Sequence, residues 1–137
     1  MPEPHYYTVK EANALLPKLT RLLVQMQAQA RQHGMVSARI EDVKRTVKSN
    51  GHHNPLEDPM VTQVSNALKE ALSDGMEQLE KWDIELKDLS TGLVDFRAMY
   101  QGRDVYLCWQ LGELQVAYWH EVDTGFAGRQ PIDEDFL

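Results

Sequence analysis

The fourteen residues "YWHEVDTGFAGRQP", positions 118–131, gather three aromatic rings, an imidazole, two carboxylates, two glycines and a guanidinium. Glu121 and Asp123 lie two apart, so on a strand they share a face. Two carboxylates at that spacing suit acid–base work or a hard cation. His120 adds a group that changes charge near neutral pH. Neighbours on a strand point to opposite faces, however, so His120 and Glu121 do not grip one ion together. On the face of Val116 and Tyr118, His120 reads more simply as a core histidine with its hydrogen bonds satisfied. Gly125 and Gly128 bracket Phe126 and allow close backbone approach, while Arg129 offers a forked donor for a carboxylate or phosphate. No Walker-type loop is present to support phosphate binding. The structural alternative is a compact turn, with Phe126 in the core and Arg129 paired to a nearby carboxylate.

A second set of chemistry-bearing residues is the tandem His52-His53 in "GHHNPLED". Imidazoles are common ligands of divalent transition metals. If residues 59–86 form one helix, its length of roughly 40 Å at 1.5 Å per residue separates this pair from His120 and His5. A shared site would require the helices to fold back near Gly34, or a second chain. Metal held at His52 and His53 alone is expected to be adventitious and easily stripped.

The elements that must position these residues follow from periodicity. Thr8 and Glu11 make a capping box ahead of Leu15, Leu19, Leu22, Met26, Gln29, His33, Val36, Ile40, Val43 and Val47, which alternate four- and three-residue steps. Pro17 and Gly34 are places where this helix would kink or break. Asn50-Gly51, Pro55 and Asp58-Pro59 mark a loop at 49–58. Val61, Val64, Leu68, Leu72, Met76, Leu79, Trp82 and Leu86 continue as a second helix. The period then becomes two. Val94 to Tyr100, Val105 to Gln110 and Leu114 to Glu121 read as three strands, with turns at Gln101-Gly102 and Gly112-Glu113. The expectation is an α+β domain over 1–137. It has an antiparallel helical hairpin at 8–87, a three-stranded antiparallel β-meander at 92–122 covering the hairpin's open end, and a terminal loop with an acidic tail at 123–137.

Composition narrows the function classes. The chain of 137 residues has 42% hydrophobic and 26% charged residues, ordinary values for a globular protein. Its net charge of −7 argues against general nucleic-acid binding. Residues 1–50 carry eight Lys/Arg against four Asp/Glu, whereas residues 51–90 carry three against nine. Arms so charged complement each other. No apolar run is long enough to span a membrane, and the N-terminus lacks the features of a secretory signal. Cys108 is the only cysteine, which leaves no internal disulfide and no zinc cage of cysteines, and a cytoplasmic setting is expected.

The segments "YYTVKEANALLPKL", "NGHHNP", "ELKDLSTGLVDFRA", "VYLCWQLGE" and the opening stretch together resemble an uncharacterised prokaryotic family, domain of unknown function 2203, from Tyr6 to Pro131. The resemblance implies no activity and supplies no catalytic residues. Two functions are therefore weighed. One is a non-enzymatic homo-oligomeric scaffold or adaptor, most simply a homodimer, whose long hairpin binds an unknown protein partner. The other is a small-ligand or metal-dependent enzyme with its site around Glu121, Asp123 and Arg129, helped by His120.

Overall fold

A computed structural model of the chain describes residues 3–50 and 59–136, the side chains of positions 43, 44 and 46–50 excepted. The element order is α1 (Val9–Asn50), α2 (Pro59–Lys81), β1 (Ile84–Asp88), β2 (Leu93–Tyr100), β3 (Arg103–Gln110), β4 (Tyr118–Glu121) and β5 (Gln130–Pro131). The fold is α+β, with two helices and one antiparallel sheet in the order β1-β2-β3-β4-β5.

Five strands stand where three were expected. The second helix ends at Lys81, five residues before Leu86. Asp83, at φ 55°, turns the chain in the left-handed region, and Ile84 and Leu86 then alternate with Glu85 and Lys87 as β1. Leu79, Trp82 and Leu86 fit a helical period, and Ile84 and Leu86 fit a strand equally well, so periodicity alone does not separate them. β5 has only two residues and is too short to carry a period. β4 begins at Tyr118 rather than Leu114. Leu114 is 100% exposed, and Glu113 folds back to accept the Gln110 N–H at 2.7 Å, so the chain between β3 and β4 is a loop.

The capping box forms: the Glu11 N–H donates to Thr8 Oγ1 at 3.0 Å and the Thr8 N–H donates to Glu11 Oε1 at 3.3 Å. The helix it opens runs without interruption through Pro17 and Gly34. The tip residues 51–58, including His52 and His53, lie outside the described residues.

The chain divides into two compact units, Met1–Val24 with Glu77–Leu137, and Gln25–Met76. The core of the first unit combines Ala12, Leu16, Leu19 and Leu23 of α1, Leu79 of α2, and the strand residues Ile84, Val94, Phe96, Ala98, Val105, Leu107, Trp109 and Trp119. The Val116 N–H donates to Asn13 Oδ1 at 2.7 Å and ties the loop before β4 to α1. In the second unit Met26 and Gly75 are buried, while His33, Val36, Ile40, Val61 and Leu68 are half-buried. A Cβ on Gly75 would come within 2.8 Å of Met26 Cγ and Sδ, so the missing side chain lets α1 and α2 approach here. No helix among the described residues is long and apolar enough to cross a membrane.

Candidate functional site

The sheet buries residues on both faces. Val94, Phe96, Val105, Leu107 and Trp119 alternate onto the face that carries the main core. The residues between them, Asp95, Cys108 and His120, point the other way and are also buried. The two-residue turn Gln101-Gly102, with φ of 51° and 77°, sets β2 against β3 so that Asp95 lies opposite Cys108. In β4, His120 lies opposite Tyr106, two residues from Cys108. Three adjacent strands therefore bring a carboxylate, a thiol and an imidazole together. One donor atom from each lies within 4.8 Å of the others.

His120 Nε2 is 3.0 Å from Asp95 Oδ2, and His120 Nδ1 is 2.6 Å from the Glu121 carbonyl oxygen. A carbonyl only accepts, so Nδ1 carries a hydrogen and Nε2 is the nitrogen that faces Asp95. Asp95 Oδ1 is buried without a geometric hydrogen bond among the described residues, although the Cys108 thiol is near enough to hydrogen-bond the carboxyl weakly. Burial pushes the Asp95 carboxyl above its ordinary range. The hydrogen bond and charge of His120, with the charge of Lys87, offset this only in part. Burial, together with the negative charge of Asp95, pushes the Cys108 thiol up to about 12. Cys108 is thus no ready nucleophile. Burial also raises the Tyr106 phenol, helped by its hydrogen bond to Glu85.

Over this floor opens a cleft of about 200 Å³, lined by Lys87, Leu93, Tyr106, Val122, Gly125 and Phe126 above the three buried groups. Val122 and Phe126 are about half exposed and form an apolar mouth. Gly125, at φ 63°, turns the chain into the short 3-10 turn Phe126–Gly128 that holds Phe126 there.

The structure separates most residues expected to act together. Glu121 faces away from His120 and engages Arg103, with Nη2 at 2.5 Å and Nε at 3.1 Å. That contact lowers the Glu121 carboxyl below its ordinary range. Asp123 is exposed. Arg129 Nη2 reaches both Glu113 oxygens at 2.8 Å, and its guanidinium lies 4.0 Å from the Tyr118 ring centre and 4.8 Å from that of Phe126. This is the paired arginine of the structural alternative, but Phe126 beside it is half exposed rather than part of the core. Gly128 accommodates Thr124, whose Cβ would lie 2.4 Å from an added methyl. His120 is the one expected residue at the floor of the cleft.

Asp95 and Cys108 were not expected. Each interrupts a strand as the outward residue of an alternating pair, a position that normally faces water. Their only signal was the register implied by a two-residue turn at 101–102, which sets 95 opposite 108.

Residues 5–132 match the family model described as "Uncharacterized conserved protein (DUF2203)", and the chain belongs to that family. No curated protein and no solved structure matches it.

Proposed function

For this member of an uncharacterised family, we propose a small-ligand-binding protein that exchanges a proton with its ligand in the cleft over Asp95, Cys108 and His120. The observation that carries the reading is the Asp95–His120 pair, at 3.0 Å and about 98% buried on both residues, forming the floor of a solvent-reaching cleft. Buried titratable pairs in clefts are the usual way a site keeps a proton ready for transfer. The volume, about 200 Å³, lies below the usual range for drug-sized ligands, so the ligand is a few heavy atoms with a polar head for the floor. Phe126 and Val122 at the mouth favour an apolar tail.

Saturation-transfer NMR against a library of small carboxylic acids, amides and alcohols tests the reading. Hits should compete with one another, weaken about tenfold or more in His120→Gln, as expected for a lost charge-assisted hydrogen bond, and weaken in Phe126→Ala. Hits indifferent to both substitutions would move the function away from the cleft.

Specific observations support a second role for the helices. Met35 and Met60 are each 71% exposed, and Gln29 Oε1 and His33 Nε2 are buried without hydrogen-bond partners among the described residues. In this reading α1 and α2 form an antiparallel hairpin whose open end covers the sheet and whose arm binds a second copy in a cytoplasmic homodimer. Light scattering over a dilution series checks it: a monomer of 15.7 kDa at tens of micromolar would end it.

A further inference from the structure

The cleft floor has the donor set of a metal centre, and we propose that Asp95, Cys108 and His120 bind one zinc ion, with a fourth position open to the cleft. This deepens the small-ligand reading and rests on it: the ion would replace the proton shared by Asp95 and His120, and its open position is where the ligand's polar head would go.

Four observations converge. The first is chemical type. One thiolate, one imidazole and one carboxylate form a mixed sulfur, nitrogen and oxygen set, and thiolate ligation selects a borderline-soft ion over magnesium or calcium. A single cysteine suffices for such a set, although it cannot make a cysteine cage. The second is geometry. The three donor atoms lie within 4.8 Å of one another. Tetrahedral zinc, with bonds of about 2.0–2.3 Å, needs donors about 3.3–3.8 Å apart, so the wider separations close by about 1 Å or less while His120 Nε2 and Asp95 Oδ2, 3.0 Å apart, open slightly. The donors stand on three paired strands, a rigid frame for such a shift.

The third is the surrounding hydrogen bonding. The His120 Nδ1–H donates to the Glu121 carbonyl at 2.6 Å, which leaves Nε2 to face the ion. Metal-bound histidines are commonly oriented by such a bond. Asp95 Oδ1 is buried with no geometric hydrogen bond among the described residues, and the Cys108 thiol that interacts with this carboxyl is itself one of the three ligands. A buried polar atom in that state calls for an explanation, and an ion is one. The fourth is charge. A carboxylate, a thiolate and a neutral imidazole sum to −2, which one divalent cation cancels, so the buried centre would be neutral. Three protein ligands with a fourth position facing a cleft is the arrangement of catalytic rather than structural zinc. It lies in a different part of the chain from His52 and His53.

The test uses the full chain made without an affinity tag and titrated with cobalt(II) alone, then with zinc(II). Wild type should bind one cobalt per chain and show a sulfur-to-cobalt charge-transfer band with the intense visible bands of four-coordinate cobalt, and one zinc should displace it. Cys108→Ser should abolish the charge-transfer band. Asp95→Asn and His120→Gln should each weaken binding about tenfold or more. The double variant His52→Ala with His53→Ala should leave the spectrum unchanged. Circular dichroism checks that each variant folds. Zinc should also raise the urea concentration at which Cys108 of wild type becomes open to alkylation, a reading that needs no variant. Weak octahedral bands without the charge-transfer band, or loss of all binding in the His52/His53 variant alone, overturns the metal centre. A wild type that takes up no cobalt yet binds small ligands in the cleft overturns it too, and leaves the small-ligand reading standing. One cobalt with the expected spectrum and no small-ligand hits does the reverse.

Discussion

His120 places Nε2 3.0 Å from Asp95 Oδ2 while Nδ1 meets the Glu121 carbonyl at 2.6 Å, so both ring nitrogens face acceptors. With Nδ1 committed to the carbonyl, one further proton belongs to the Asp95–His120 pair as a unit. Removing it would leave a carboxylate oxygen facing the lone pair of Nε2. The pair is therefore the most demanding polar element of the sheet. Cutting His120 back to alanine strands the Asp95 carboxyl in a buried site and should cost about 3–5 kcal/mol, measured by urea unfolding at neutral pH. A loss under 1 kcal/mol would mean that water reaches Asp95.

Asp95→Asn should behave differently, and its sign depends on pH. The native carboxyl is raised above the ordinary value of 3.8 by burial, so the folded state holds the proton more tightly than the unfolded chain. That contribution is present in full below 3.8 and is lost as pH rises through the native value. Asparagine has no such dependence and keeps a donor for His120 Nε2. Metal-free Asp95→Asn should gain stability relative to wild type as pH rises from 3.8, levelling off once the native carboxyl has ionised. Unfolding free energies of both proteins across that range check it, and a difference that shrinks with pH would contradict the burial argument.

Cys108, fully buried and with its thiol pushed up to about 12, should resist iodoacetamide at pH 8. Modification should follow unfolding, accelerating in urea in step with loss of the circular dichroism signal. Rapid modification of the native metal-free protein would show that the cleft opens down to the thiol.

Arg129→Ala should cost about 2 kcal/mol. The guanidinium is only partly exposed, shares both oxygens of Glu113, and stacks on Tyr118, so its loss unpairs a half-buried carboxylate. Phe126→Ala should cost only about 1 kcal/mol, because the ring is half exposed. Thermal unfolding of the two variants should therefore rank arginine above phenylalanine, the reverse of what a buried ring and a surface ion pair would give.

Gly92→Ala probes the sheet's first turn. Gly92 has φ 70°, and an added Cβ would lie 2.5 Å from Leu111 Cδ1. Strain and overlap together should destabilise by about 2 kcal/mol, read by chemical unfolding. A neutral effect would mean that Leu111 moves aside freely.

The sequence carried β2 and β3 openly, because a two-residue turn and strict alternation leave one register. It also carried the start of α1, where Thr8 and Glu11 reach each other as a capping box. β1 was hidden because Leu79, Trp82 and Leu86 continue a helical spacing across the turn at Asp83. The start of β4 was hidden because Leu114 and Val116 alternate correctly, although the chain turns at Glu113 and the Val116 N–H goes to Asn13 Oδ1 rather than to a strand. The site was the least legible part. His120 attracted attention through its neighbours in sequence, but its partners are Asp95 and Cys108, 25 and 12 positions earlier. Glu121, the next carboxylate, is turned away from it by the period of the strand, and Asp123 lies in the turn beyond the strand's end. A seven-residue connection between β3 and β4 fixes no register that can be read in advance, so the approach of His120 to Cys108 had no signature.

The order β1-β2-β3-β4-β5 leaves β1 and β5 at the edges of the sheet among the described residues, and both are poor templates for a further strand. β5 ends at Pro131, which has no N–H to donate, and spans two residues. β1 carries Glu85, Lys87 and Asp88, and its pairing is irregular between Leu86 and Asp88. Charge, proline and a bulge are the means by which sheets avoid polymerising edge to edge. Both edges thus disfavour extension of the sheet by a neighbouring chain. A high-concentration solution should remain free of β-type fibrils, and any specific assembly of this chain is expected through side chains.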